Sequence, residues 1–220
     1  MRRVVEDWIQ AAGIRAEPVE RGFFEDAPER VAPRLLGMVL AHRTEDGVVA
    51  GRIVEVEAYL GPHNQPPDPA AHAYRGPTPR NRVLFGTAGH AYVYAIYGRY
   101  FCMNISCEPE GRAGCVLLRA LEPLVGLEMM ARRRGVKADA AARELTSGPS
   151  RMCQALGVTR AGQNGLDLLD AASPLRVLDD GWRPEGVAVT ARIGIKEAVD
   201  WPLRFAVEGN ACVSGPKRMR

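Results

Sequence analysis

The chain has 220 residues, of which 46% are hydrophobic and 25% are charged, and its formal net charge at pH 7 is +3. These values are typical of one globular domain with a sizeable core. The sequence also excludes a membrane-spanning helix, because no apolar run approaches the ~20 residues that such a helix needs. The N-terminus lacks the uninterrupted apolar segment of a secretory signal, so we expect a cytoplasmic protein.

The positive charges and the cysteines narrow the function only slightly. A mild positive charge permits nucleic-acid binding without requiring it. Nearly all the positive residues are arginines, which suit bidentate contacts with phosphate, but biased coding composition explains the preference equally well. The five cysteines have no zinc-site spacing, so we expect buried, reduced thiols and neither a metal nor another cofactor.

The first elements in chain order are a helix and a strand hairpin. Residues 1–20 are expected to form a short helix and a connector, as an N-terminal extension of a single domain over residues 1–220. A helix is predicted between Asp26 and Gly37, with Pro28 in its first turn and Pro33 breaking or kinking it. Two strands follow, at residues 38–44 and 48–59, joined by a hairpin turn at residues 45–47.

The second strand of this hairpin carries the first candidate for chemistry. Glu55, Glu57 and Tyr59 alternate with aliphatic residues, so the three polar side chains share one face. The strand then enters a long segment, residues 61–82, and a loop of this length is more often functional than inert. On this pattern alone, solvated glutamates on an amphipathic strand are the simpler interpretation.

The tyrosines are concentrated in one part of the chain. All six lie between Tyr59 and Tyr100, near arginines and the two glutamates. This suggests a surface for flat aromatic partners, with a tyrosine-rich sheet core as the structural alternative. Residues 90–98 and 100–106 predict a hairpin whose tip carries Tyr97.

A lone charge, Arg119, lies in the otherwise apolar strand predicted at residues 115–121. A buried charge needs a partner, which a glutamate on a neighbouring strand would supply. Residues 125–145 are helical in composition. Residues 147–157 are expected to form a loop that opens a short helix. The start of this helix either holds a phosphate beside Arg151 or is an ordinary helix cap. Further strands are expected at residues 166–170, 175–178, 187–195 and 203–207, before a loose basic tail at residues 214–220.

Taken together, these segments resemble the alkyladenine DNA glycosylase family, the mammalian type of 3-methyladenine DNA glycosylase. The similarity runs from about residue 32 to residue 207, and several motifs in the same order make it specific. The matching motifs are LLG (35–37), IVEVEAYLGP (53–62), HAYRG (72–76), TPRNR (78–82), YVYAIYG (92–98), CMNIS (102–106), VLLRALEP (116–123) and SGPS (147–150).

The resemblance implies a fold, an activity and a partner. It implies an α+β protein, a single compact domain with a curved, mostly antiparallel β-sheet flanked by helices and without a metal. It also implies hydrolysis of the N-glycosidic bond of damaged purines in double-stranded DNA, after the nucleotide is flipped out of the helix. We therefore expect a monomer that binds damaged duplex DNA and, in a bacterium, associates with the nucleoid.

The resemblance assigns roles to the catalytic residues one position at a time. Glu57 matches the general base, and Arg119 matches the arginine that helps to hold the attacking water. Ile193 lies where the family uses a backbone carbonyl as a further water ligand. Tyr59 and Tyr94 match the aromatic residues that sandwich the flipped base.

The remaining roles concern base selection and DNA contact. His72 matches the residue at the edge of the base pocket, and Asn104 matches the residue that blocks the exocyclic amine of guanine. Tyr97 matches the wedge that replaces the flipped nucleotide in the duplex. Further DNA contacts are expected from Arg80, Arg82, Arg99, Ser150 and Arg151.

One departure from the family pattern concerns the loop after Tyr59. The twelve residues between Tyr59 and His72 are about four more than expected, which makes His63 a rival to His72. None of the three lysines lies in the matched motifs, so base removal without strand cleavage is expected. The alternatives are a non-catalytic module that binds damaged DNA or RNA, and a hydrolase of small nucleosides.

Overall fold

A nine-stranded β-sheet organises the computed structural model, which describes residues 6–215. The strands are β1 (Glu17–Pro18), β2 (Val39–Thr44), β3 (Gly47–Tyr59), β4 (Ala91–Ile96), β5 (Tyr100–Cys107), β6 (Gly114–Val125), β7 (Leu175–Asp179), β8 (Val187–Thr190) and β9 (Arg204–Val207). The main path has the order β1-β7-β2-β3-β6-β5-β4, while β9 joins β3 and carries β8. These pairings are antiparallel, which confirms the predicted α+β class.

Short helices cover the sheet. They are α1 (Glu6–Ala11), α2 (Pro28–Leu35), α3 (Leu127–Arg134), α4 (Ala142–Thr146), α5 (Pro149–Leu156) and α6 (Arg160–Gln163). Helix α2 packs on β3 and β6, and α5 packs on β5 and β6, so both contribute to the main core. None of the helices within residues 6–215 is long and apolar enough to cross a membrane.

Strand β3 is central in the sheet and positions the candidate site. Its aliphatic residues Val54, Val56 and Ala58 are fully buried, as the alternation predicts. Glu55 and Glu57 on the opposite face are fully buried as well, so the interpretation of these glutamates as solvated is wrong. Both faces of β3 are therefore covered. On the face that carries the glutamates, other elements of the fold supply charged partners for them.

Two predicted elements near the site differ from the structure. Residues 166–170 form only an isolated bridge, because Asp167 accepts hydrogen bonds from Arg21 and from the N–H of Leu169, which turns the chain. The strand predicted at residues 187–195 ends at Thr190, and Arg192 then turns inward to a buried partner.

The helix predictions need smaller corrections. The segment at residues 125–145 is divided into α3 and α4, because Gly135 takes a left-handed conformation with φ of 64° and ends α3. Helix α2 continues through Pro33 instead of breaking there. Pro33 removes a single backbone donor from a helix of only eight residues, most of whose stability comes from packing on the sheet.

The first and last segments that the structure describes both contact the sheet. In the N-terminal segment, Ile9 and Ile14 are buried against Val39 and Ala41 of β2. At the other end Ser214 is buried and bonded to β3, so the expected loose tail does not begin there. The rest of that tail, residues 216–220, lies outside the described part of the chain.

Candidate active site

A cavity of about 480 Å³ opens beside the ends of β3, β4, β5 and β6. Most of the residues assigned by resemblance to base binding or catalysis line it, together with side chains that the assignment missed. The lining consists of Tyr59, Ala70, His72, Tyr92, Tyr94, Ile96, Tyr97, Cys102, Asn104, Cys115, Leu117, Arg119, Pro149, Ile193, Gly194 and Ile195.

Glu57 lies directly behind the wall of this cavity and is fully buried. Its Oε1 accepts a hydrogen bond from the backbone N–H of Ile193 at 2.7 Å and lies 3.1 Å from Nη1 of Arg119. Its Oε2 accepts a hydrogen bond from the Tyr59 hydroxyl at 3.0 Å. All three partners line the cavity, so the carboxylate is held immediately beneath the space that a ligand would occupy.

Glu55 forms a second buried carboxylate centre, which the sequence-based assignment missed. Its Oε1 lies 2.8 Å from Nε of Arg119 and 2.8 Å from Nε of Arg204. The N–H and hydroxyl of Ser214 donate to its two oxygens, at 2.6 and 2.8 Å. Burial acts to raise the pKa of Glu55, but the charges of Arg119 and Arg204 outweigh it and lower the pKa below its usual value.

Arg119 bridges these two carboxylates, which confirms the expectation that glutamates on a neighbouring strand pair with it. The pairing of β3 with β6 shifts register on both sides of Glu55, and such bulges re-aim side chains. Burial acts to lower the pKa of Arg119, but the charges of Glu57 and Glu55 outweigh it and raise the pKa. The guanidinium is therefore a permanent cation at the cavity floor.

The two tyrosines expected to hold a base are neutral phenols. Burial raises the pKa of Tyr59, and the neighbouring Glu57 carboxylate adds to the shift. Burial likewise raises the pKa of Tyr94. Both side chains are partly exposed in the cavity wall, where their rings are available for stacking.

His72 lies at the rim of the cavity, where its Nδ1 is 2.9 Å from the Tyr92 hydroxyl. Its ring meets that of Tyr94 edge to face, with centroids 4.5 Å apart. Partial burial and the charge of Arg80 lower the pKa of His72, which favours the neutral imidazole near pH 7. The rival, His63, is absent from the lining and instead pairs with the buried carboxylate of Glu108.

Asn104 is buried in the cavity wall on β5. Its Nδ2 donates to the backbone carbonyl of Tyr92, and its Oδ1 accepts a weak hydrogen bond from the Cys115 thiol at 3.5 Å. Burial raises the pKa of Cys115 to about 12, so the thiol keeps the proton that it donates. All five cysteines are buried and free, as predicted.

Tyr97 and Arg99 lie in the turn between β4 and β5, as the sequence predicts. Tyr97 is 90% exposed at the mouth of the cavity and has a left-handed backbone, with φ of 49°. A bulky residue with positive φ is uncommon, and an aromatic ring exposed to this extent is not part of a core. Arg99 projects beside it and stacks on Tyr100.

The other expected DNA contacts lie outside the cavity lining. Arg80 lies over the ring of Tyr94, with Cζ 5.6 Å from the ring centre. Ser150 lies in the first turn of α5, beside the exposed Arg151. Arg82 is exposed at the start of a short 3-10 helix. Arg80 thus contacts a ring that lines the cavity, and Ser150 and Arg151 follow the lining residue Pro149 in α5.

Ile193 makes a contact that the assignment did not include, because its backbone N–H donates to Glu57. The role expected for its carbonyl, as a ligand of the water, stays a prediction. The preceding residue, Arg192, is fully buried and forms a bidentate ion pair with Asp68. Neither Arg192 nor Asp68 was identified from the sequence, although Arg192, like Arg204, is a charge within a predicted strand and resembles Arg119 in this respect.

Comparisons with known proteins point to one family. Residues 22–211 match the family described as methylpurine-DNA glycosylase. A relative from Koribacter versatilis, named "Putative 3-methyladenine DNA glycosylase", is 48% identical over 200 residues, which are 91% of this chain and 94% of the relative. Relatives with the same name come from Methanoculleus marisnigri, at 49% identity over 87% of this chain and 96% of the relative, and from Burkholderia lata, at 48% over 91% and 92%. Every residue that lines the cavity lies within the matched range.

Proposed function

The chain belongs to the methylpurine-DNA glycosylase family, a family of DNA repair hydrolases that act on N-glycosyl bonds, and we propose a specific mechanism for it. In this mechanism the protein flips alkylated or deaminated purines out of duplex DNA and removes them with a water activated by Glu57. The observation that carries the proposal is a fully buried carboxylate held beneath an aromatic cavity by three of the cavity's own lining residues.

Glu57 has the hydrogen-bonding capacity for this role. A carboxylate offers about four acceptor positions, and three of them receive Tyr59, Ile193 and Arg119. Glu57 is fully buried in the free protein, so the remaining position of Oε2 opens to water only if a covering side chain such as Tyr59 shifts when the base binds. A water bound there would transfer a proton to Glu57 as its oxygen attacks C1′ of the deoxyribose. The N-glycosidic bond breaks as the new C–O bond forms, and the bonding electron pair leaves with the purine.

The aromatic residues suit a cationic leaving group. Purines alkylated at N3 or N7 carry a positive charge, so they stack favourably on electron-rich rings such as those of Tyr59 and Tyr94. Such a base becomes neutral as it accepts the electron pair, and it therefore needs no acid. Asn104, fixed by Tyr92 and Cys115, would disfavour guanine by crowding its exocyclic amine. 7-Methylguanine carries the same amine, but its positive charge already weakens the glycosidic bond.

The exposed tip of the β4–β5 hairpin supports the flipping step. Tyr97 would insert between base pairs and fill the space of the flipped nucleotide. Arg99 and Arg151 would contact the phosphates around it. We further propose that the protein leaves the strand uncut, since the three lysines of the chain lie outside the family motifs. Trapping of a covalent DNA adduct with borohydride would contradict this.

The decisive experiment measures free bases released from duplexes that contain 3-methyladenine, 7-methylguanine or hypoxanthine. Wild-type protein should release at least one of these bases, whereas Glu57→Gln should bind the damaged duplex but release bases at least about a hundredfold more slowly. Arg183→Ala, an exposed change away from the cavity, is the matched control and should leave release unchanged.

Two other outcomes would favour the alternatives. A non-catalytic module would bind the damaged duplex, but its wild-type form would release no base. A nucleoside hydrolase would release bases from free nucleosides, and its rate would not fall steeply with salt, because it makes no phosphate contacts along a duplex.

A further inference from the structure

A buried ion pair lies behind Tyr59, on the side away from the cavity. Nη1 and Nη2 of Arg192 lie 2.5 and 2.9 Å from the two carboxylate oxygens of Asp68, and both side chains are fully buried. Cζ of Arg192 is 4.6 Å from the centre of the Tyr59 ring. Tyr59 lines the cavity and Arg192 does not, so the guanidinium occupies the ring face that a flipped base would leave free.

We propose that Asp68 determines which purines this site accepts, because it neutralises a cation that would otherwise repel positively charged alkylpurines at Tyr59. The inference rests on the proposed function and adds a specificity-determining residue to it. Asp68 lies in the loop after β3, in the segment by which this chain departs from the expected spacing of the family.

The electrostatic argument follows from the stacking geometry. A cation on one face of an aromatic ring draws the π electrons towards itself and makes the other face less attractive to a second cation. A base stacked on the free face of Tyr59 would lie roughly 8 Å from Arg192, a distance at which an unpaired charge weakens the binding of a cation on the order of tenfold. The carboxylate of Asp68, in direct contact with the guanidinium, cancels most of this field.

The other charges around the cavity are already balanced. Glu57 and Glu55 share Arg119, and Glu55 also pairs with Arg204. The lowered pKa of His72 keeps its ring neutral near pH 7, and Arg80 at the rim is exposed to solvent, which screens its charge. The buried charged groups that form ion pairs directly behind the cavity are therefore three carboxylates and three guanidiniums, and the removal of Asp68 would leave this set with one net positive charge. The six groups are Glu55, Glu57, Asp68, Arg119, Arg192 and Arg204.

The Asp68–Arg192 pair also holds the backbone in place. A test must therefore distinguish the effect of its charge from its effect on the position of the backbone. Asp68 accepts hydrogen bonds from the N–H groups of Leu60 and Ala70, and Arg192 donates to the carbonyl of Ala58. Arg192 directly precedes Ile193, whose N–H contacts Glu57. A purely mechanical role predicts the same loss for every lesion, whereas a charge effect depends on the charge of the base.

The test compares release of 7-methylguanine, a cation, with release of ethenoadenine, a neutral base, in matched duplexes under single-turnover conditions. Asp68→Asn should reduce release of 7-methylguanine about tenfold more than release of ethenoadenine. Arg192→Gln, which leaves the carboxylate in excess, should shift the ratio in the opposite direction. The double variant, Asp68→Asn with Arg192→Gln, should return the ratio to near the wild-type value because the net charge is restored.

Several outcomes would overturn the inference. If Asp68→Asn slows release of both lesions equally, the pair is only a structural brace. The same conclusion follows if the double variant discriminates against 7-methylguanine at least as strongly as Asp68→Asn does. If the wild type releases only 7-methylguanine, the release rates of Asp68→Asn and of the double variant are compared on that lesion alone. The charge effect predicts that the double variant is faster than Asp68→Asn, whereas a structural brace predicts that it is no faster. If circular dichroism shows that Asp68→Asn is unfolded, the test rests on Arg192→Gln, and the absence of the opposite shift in the ratio of release rates would overturn the inference. Release of neither base by the wild type would also overturn the inference, and release of 3-methyladenine or hypoxanthine would then show that the proposed function stands without it.

The chain offers a matched control, a second arginine–aspartate pair whose arginine stacks on an aromatic ring. Arg52 forms a bidentate pair with Asp180, at 2.9 and 2.8 Å, and stacks on Trp182 with Cζ 4.7 Å from the ring. None of these residues lines the cavity. Asp180→Asn should therefore leave the ratio of the two release rates unchanged, and a shift as large as that of Asp68→Asn would contradict the inference.

Discussion

The backbone N–H of Ile193 donates a 2.7 Å hydrogen bond to Oε1 of Glu57, across 136 positions of sequence. The loop that follows β8 is thereby joined to the C-terminal part of β3. The same oxygen lies 3.1 Å from Arg119, so one carboxylate oxygen receives two donors and the other is left to Tyr59. The orientation of the proposed general base is thus set by three separate segments of the chain.

The first prediction concerns this contact. Because the N–H rather than the side chain of Ile193 touches Glu57, Ile193→Ala should release bases at close to the wild-type rate. Ile193→Pro removes the donor, and a hydrogen bond to a charged group is worth enough that release should slow about tenfold or more. Single-turnover release from a damaged duplex measures both. Equal rates for the two variants would show that the contact does not orient Glu57.

The second prediction concerns stability and pH. Folding lowers the pKa of the buried Glu55, so its contribution to stability is complete above its unfolded pKa of about 4.3 and is lost as the pH falls through the lower folded value. At pH 7, Glu55→Gln should lower the free energy of unfolding by about 3 kcal/mol, and the difference from wild type should shrink below about pH 4. Urea unfolding at a series of pH values measures this.

The control for this prediction is Glu45→Gln, a change at an exposed glutamate in the turn between β2 and β3. It should alter the free energy of unfolding by less than about 0.5 kcal/mol at any pH. A Glu55→Gln deficit that stays constant down to acid pH would show that the carboxylate charge is not what stabilises this centre.

The third prediction concerns the hairpin tip. Tyr97 is exposed and makes no core contact, so Tyr97→Ala should leave the melting temperature unchanged. It should weaken binding to a damaged duplex by about tenfold to a hundredfold, the range for loss of an aromatic ring that stacks on a base. Tyr97→Phe keeps the ring and should bind like wild type. Wild-type affinity in Tyr97→Ala would exclude the wedge.

The fourth prediction concerns salt. Each phosphate contact steepens the fall of affinity with salt, so removal of one should reduce the slope of log affinity against log salt by about one. Arg151→Ala should show this change in fluorescence anisotropy with duplex DNA. Arg183, which pairs with Asp179 away from the cavity, provides the control, and Arg183→Ala should keep the wild-type slope. Identical slopes for the two variants would remove Arg151 from the DNA surface.

Local sequence patterns predicted the features that depend on near neighbours. The alternation around Glu57 indicated a strand with its polar residues on one face, and the turn after residue 96 placed Tyr97 at a hairpin tip. Arg119 was identified in the same way, as a lone charge in a predicted apolar strand, and the family motifs then assigned its role. Such features are predictable because the repeat of a strand and the conformation of a turn are set within a few residues.

The tertiary structure alone decided the partners. Glu55 meets Arg204 and Ser214 because β9 pairs with β3, and Asp68 meets Arg192 because a loop and a strand end cross behind Tyr59. Partner choice of this kind depends on strand order and register over more than a hundred residues, which no local period encodes. For the same reason, apart from the pairing expected for Arg119, the sequence showed only that charges were present, and the fold showed that they are buried and how they are balanced.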